Sequence, residues 1–170
     1  TDEILQACAD LAVSYGIPLQ IHILETRQEA EESWAEFEKK VVNRVAELGV
    51  FRARTIAAHC VHVDTEQIRL LAQHGVAVAH NPTSNLKLAS GIAPVKEMLE
   101  RGVRLSIGTD GAASNNDLDM FEEMRLAALL AKGATFDPEV LPAREALLMA
   151  TRWGAEALGL GNLTGSLEMG

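Results

Sequence analysis

Histidine and carboxylate side chains stand at comparable places along this sequence. His22 and Glu25 close the apolar run IPLQIHIL, His59 sits in TIAAHC, His80 and Asn81 end VAVAHN, and Asp110 follows RLSIGT. Imidazole and carboxylate are the donors that zinc or iron accepts, and both groups can take up or release a proton beside a reacting atom. The chemistry such a set suits is attack by a water whose pKa a divalent cation has lowered toward about 7. A single histidine on an apolar run is more often a hydrogen-bonded core residue. Four successive runs ending alike point instead to one shared site.

The elements that must position these residues alternate. Short apolar runs at Ile17–Leu24, Thr55–Cys60, Val76–Asn81 and Arg104–Thr109 read as buried strands. Between them helical spacing predicts helices over 26–48 (stopped by Gly49), from Asp64 or Thr65 to about His74 (stopped by Gly75), over 93–101, over 118–132 (stopped by Gly133) and over 142–158. The polar stretch 81–91, with Pro, Ser and Asn at turn-forming positions, reads as a loop that shapes the site. Strand–helix units in series imply parallel strands joined by right-handed crossovers. This pattern fits a doubly wound sheet or part of a closed barrel, and periodicity does not choose between them. In a barrel, the strands' C-terminal ends carry the active site.

Composition narrows the partners. The 170 residues include 24 acidic and 15 basic side chains, a net charge of −9, which argues against nucleic acid, whose phosphates need a basic face. No apolar run reaches the roughly 18 residues of a membrane span, and the N-terminus lacks the form of a secretory signal. Cys8 and Cys60 are isolated, so reduced thiols in a cytoplasmic protein are expected.

Four stretches carry a resemblance: IHILE at 21–25, AAHCVH at 57–62, HNPTSNLKLASGIAPV at 80–95 and GTDGAASNNDLDMFEEMRLA at 108–127. Together they resemble the amidohydrolase superfamily, and within it the branch of 5′-methylthioadenosine/S-adenosylhomocysteine deaminases and related chlorohydrolases. The resemblance implies an α/β fold, the C-terminal half (strands five to eight) of a metal-dependent (β/α)₈ barrel over residues 1–163. Residues 164–170 would begin the return to a small β-domain.

It also implies roles. His22 and Asp110 are expected to ligate one divalent metal, zinc first and iron second. Glu25 is expected to bind the purine edge and shuttle a proton to the ring nitrogen. His59 would orient and activate the attacking water, and Asp110 would take its proton. His80, Asn81 and Ser114 join Glu25 and Asp110 as expected substrate contacts. His62 is expected in a loop role, His74 as a solvated helix end, and Trp34 and Trp153 in core packing. The implied substrate is a small purine nucleoside, with neither nucleic acid nor membrane as partner, and the full-length relatives imply a homo-oligomer.

One departure is large. The family's H-x-H pair, which supplies two metal ligands, has no counterpart before His22. The sequence is therefore expected to be a piece of a longer protein and inactive alone. Alternatives are a guanine, pterin or triazine hydrolase of the same branch, or a non-catalytic folding or interaction fragment.

Overall fold

The computed structural model describes residues 1–169. Four strands, β1 (Leu19–Ile23), β2 (Thr55–His59), β3 (Ala77–His80) and β4 (Arg104–Ile107), form one parallel sheet in the order β1-β2-β3-β4. Strand order follows chain order without reversal. A doubly wound sheet reverses at its switch point, so the order resolves the ambiguity that periodicity left and matches an arc of a barrel.

The strands' alternation sorts the two faces. Ile23, Ala57, Val78, Leu105 and Ile107 bury themselves beneath the covering helices, in a core shared with Val42, Val45, Ile68, Leu71, Met98, Ala127 and Ala131. On the other face Gln20, Ile56, Ala79 and Ser106 line a concavity of about 840 Å³, mostly apolar, that Leu147, Ala150 and Ala157 also border. Thr164, Gly165, Ser166 and Leu167 reach its rim. Gly170, the end of the expected return segment, lies outside the described residues.

The helices are α1 (Asp2–Tyr15), α2 (Arg27–Phe37), α3 (Val41–Glu47), α4 (Thr65–Gln73), α5 (Pro82–Lys87), α6 (Val95–Glu100), α7 (Ala112–Asn115), α8 (Met120–Thr135), α9 (Ala143–Ala150) and α10 (Arg152–Ala157). Capping boxes start two of them: Thr26 with Glu29 opens α2, and Asp64 with Gln67 opens α4.

Several expectations change. The single helix over 26–48 is two, broken where Glu38 takes a left-handed conformation at φ 52°. The helix over 142–158 breaks at Thr151. Gly133 lies inside α8, which runs on until Phe136 turns left-handed. The polar stretch 81–91 contains α5, started by Pro82 at its first position, where a missing N–H removes no helical bond. Trp34 is 60% exposed rather than packed in the core, because α2 turns that side to solvent, whereas Trp153 packs against the core as expected. Among the described residues no helix is long and apolar enough to cross a membrane.

Candidate active site

The strand ends converge. Ligand atoms of His22, His59 and Asp110 all lie within 4.8 Å of one another, although 37 residues of chain separate the first two and 51 the last two in sequence, as 59 − 22 and 110 − 59. The rings of His22 and His59 stack with centroids 5.0 Å apart. Glu25 Oε2 stands 3.7 Å from His59 Nε2.

His59 and Asp110 reach this point by unusual backbone. Both hold left-handed conformations, φ 70° and 62°, as does Cys60 at 47°. Non-glycine residues pay for such geometry in steric strain of order 1–3 kcal/mol, and here it turns the chain sharply where β2 and β4 end.

Residues from α5 grip both side chains. Asn85 Oδ1 lies 2.8 Å from His59 Nδ1, and the Ser84 hydroxyl donates to Asp110 Oδ2 at 2.7 Å. Ser114 donates to the same oxygen at 2.8 Å. Burial alone would raise the Asp110 pKa, but the two hydroxyls, aided by the Gly111 backbone, hold it below the usual carboxylate value. Asp110 is thus ionised at neutral pH.

His80 is buried, and both its ring nitrogens lack a partner among the described residues. Desolvation, with His59 nearby, pushes it down to about 4, so it is neutral. Asn81 is also buried, its side chain laid against the end of β4. Gly108 permits this: a Cβ there would stand 2.9 Å from Asn81 Nδ2. His62 Nε2 lies 2.8 Å from the Ser90 carbonyl, which gives it the loop role expected for it. His74 is exposed at the end of α4, its ring 5.5 Å from that of Phe51.

The donor set fits a divalent cation. Two imidazoles and an ionised carboxylate face one point, and the Nε2 of His59 is buried without a protein partner. Donors on one tetrahedral zinc lie about 3.4 Å apart, so the more distant of these atoms must draw together to share one cation.

Sequence spacing brought out His22, Glu25, His59 and Asp110, and the fold brings these four together. It did not bring out Ser84 and Asn85 as holders of the site. Nor did it bring out Glu123, a carboxylate only 1% exposed that accepts from the Thr83 backbone N–H at 3.1 Å and from Asn115 Nδ2 at 2.6 Å. The polar SNLK stretch was the available signal for the first two. An acid on an amphipathic helix gives no signal that it is buried.

With a parallel strand arc that carries histidines and an aspartate at its C-terminal ends, the class of protein is defined, and residues 1–170 match the amidohydrolase family model throughout. The chain belongs to the amidohydrolase family, and its four strands are the C-terminal half of that family's barrel.

Its relatives are narrower in kind. It is 55% identical over 170 residues to a 5-methylthioadenosine/S-adenosylhomocysteine deaminase of Moorella thermoacetica, covering all of this chain and 40% of that protein. The structure superposes with TM-score 0.96 and 44% identity on a zinc-bound adenosine deaminase from Xanthomonas campestris, covering 100% of this chain and 39% of the other. An atrazine chlorohydrolase from Arthrobacter aurescens TC1, solved with zinc, gives TM-score 0.92 at 34% identity, with 100% and 38% covered. The chain thus spans about 40% of the length of the curated relative from Moorella.

Proposed function

We propose that these residues are the metal-binding, C-terminal half of a hydrolase that deaminates the adenine ring of 5′-methylthioadenosine or S-adenosylhomocysteine. The observation that carries this reading is the convergence of His22, His59 and Asp110, with Glu25 beside His59. The deaminase relative at 55% identity supports the substrate class.

His22 and Asp110 would hold the cation, with zinc supported by the two zinc-bound neighbours, while the free Nε2 of His59 faces the same point. When bound, such a cation lowers the pKa of its water toward about 7. The remaining work falls to side chains. Asp110, kept ionised by Ser84 and Ser114, takes the proton of the attacking water as the ring carbon bearing the amino group becomes tetrahedral. Glu25 hydrogen-bonds the purine edge and delivers a proton to the ring nitrogen. His59 orients the water, Asp110 passes the proton it took to the amino group, the new hydroxyl returns a proton to Glu25 as the carbonyl forms, and ammonia leaves. Neutral His80, Asn81 and Ser114 border the substrate. Residues from 164 on lead toward a small β-domain. The free thiols of Cys8 and Cys60 support a reducing, cytoplasmic setting, and the exposed apolar side chains Ile4, Leu11, Tyr15 and Ile17 support further packing in the complete barrel or its oligomer.

The test is a substrate panel on the full-length, metal-loaded protein, with ammonia or chloride release as the readout. Methylthioadenosine and S-adenosylhomocysteine should be turned over in preference to adenosine, guanine and a chlorotriazine. Preference for the chlorotriazine would favour a second reading, for which the 34% identical chlorohydrolase speaks. No turnover of any adenosine derivative sinks the deaminase reading.

A further inference from the structure

Asn85 and Glu123 are both only 1% exposed, and because Asn85 Nδ2 has no partner among the described residues, the bond of its Oδ1 to His59 is the one its amide makes. A buried carboxylate and a buried amide are expensive to place unless they are hydrogen-bonded. Their bonds form one chain of contacts. Glu123 on α8 accepts from the backbone N–H of Thr83, at the start of α5. Its other oxygen accepts from Asn115, whose Nδ2 also donates to the Thr109 carbonyl at 2.8 Å, and whose Oδ1 accepts from Leu118 N at 2.9 Å. Lys87, at the far end of α5, donates to the Ala113 carbonyl and to Asn116 Oδ1. The short helix is therefore pinned at both ends to the segment that follows Asp110. From it, Asn85 meets His59.

We propose that Asn85 is a positioning residue that fixes His59 as the Nδ1–H tautomer, and that the buried Glu123 carboxylate holds α5 in register for it to do so. An amide oxygen can only accept, so the His59 nitrogen facing it must carry the hydrogen. The other nitrogen, Nε2, then keeps its lone pair, and it is the one that faces Glu25 and the point shared with His22 and Asp110. With the amide turned the other way, Asn85 Nδ2 would donate to Nδ1. The proton would then sit on Nε2, which could no longer accept a cation or a water proton. A neutral amide in this place also sets the tautomer without drawing the imidazole toward its charged form, as a carboxylate would. The inference deepens the proposed function and rests on it for the use of Nε2. The tautomer itself is independent of metal and substrate.

The experiment is long-range ¹H–¹⁵N correlation on the 170-residue chain labelled at histidine, at about pH 8, where an ordinary histidine is neutral. His59 should show one protonated nitrogen, Nδ1, and Asn85→Asp should keep it there. Asn85→Leu and Glu123→Ala should each give an exchange-averaged mixture of tautomers, with circular dichroism unchanged. Nε2–H in the unmutated chain overturns the proposal without any variant. A folded Asn85→Leu chain that stays purely Nδ1–H overturns the role of Asn85, and the same result for Glu123→Ala overturns the brace. Because no turnover is measured, a failed deaminase assay and a failed tautomer assignment remain separate results.

Discussion

His59 and Asp110 are each gripped by a side chain of α5, whereas the side chains of His22 and Glu25, at the end of β1, make no hydrogen bond to any described residue. His22 is exposed and has the His59 ring as its stacked neighbour. Glu25 has only the 3.7 Å approach to His59. The side of the site after β2 and β4 is thus oriented by this chain's own buried network. The side after β1 has no such network among the described residues. Preorganisation and openness divide along the sheet, and the division gives the two pairs different vulnerabilities.

The largest effect should come from Asp110→Asn in the complete enzyme. Removing the proposed proton acceptor should lower kcat by about 100- to 10,000-fold, read as ammonia release, and activity within tenfold of the parent would remove Asp110 from its role. Next, Glu123→Ala should lower the unfolding free energy of the chain by about 1–3 kcal/mol, because two buried donors lose their acceptor. His22→Ala should stay within about 0.5 kcal/mol. Urea unfolding of the two variants tests the comparison directly, and a larger loss for His22→Ala would break it. Gly108→Ala forces a methyl against Asn81 and should cost about 1 kcal/mol or more, seen as a lowered Tm. Gentlest of all is thiol labelling. Cys8 is exposed and Cys60 fully buried, with burial pushing its thiol well up. One thiol should react in the folded chain and the second only on unfolding; two at once would mean the turn after β2 is loose.

The strands were legible because each is a continuous apolar run. The four chemical residues were legible because each stands at or just past the C-terminal end of such a run. What escaped was where helices stop and what buried polar groups do. The break at Glu38 is a left-handed turn by a residue that favours helices, so composition hides it. Helix α5 opens with PTSN, residues that favour turns, and it is held by Glu123, Asn115 and Lys87 rather than by its own propensity. Helix α1 has no place in the sequence pattern read from Ile17 onward. Tertiary contacts decided α5, and pairwise contacts between distant residues leave no periodicity to read, whereas α1 carries a local signal in Gly16, the left-handed residue that ends it.

The left-handed backbone at residue 110 has a consequence for variation under selection. Glycine adopts φ 62° without the Cβ clash that aspartate meets there, so relief of strain favours glycine at the position that the proposed reaction reserves for a carboxylate. A library ranked by folding alone should drift toward glycine at 110, while one ranked by turnover should hold aspartate. What makes the end of β4 useful is also what keeps it from being the most comfortable place on the chain.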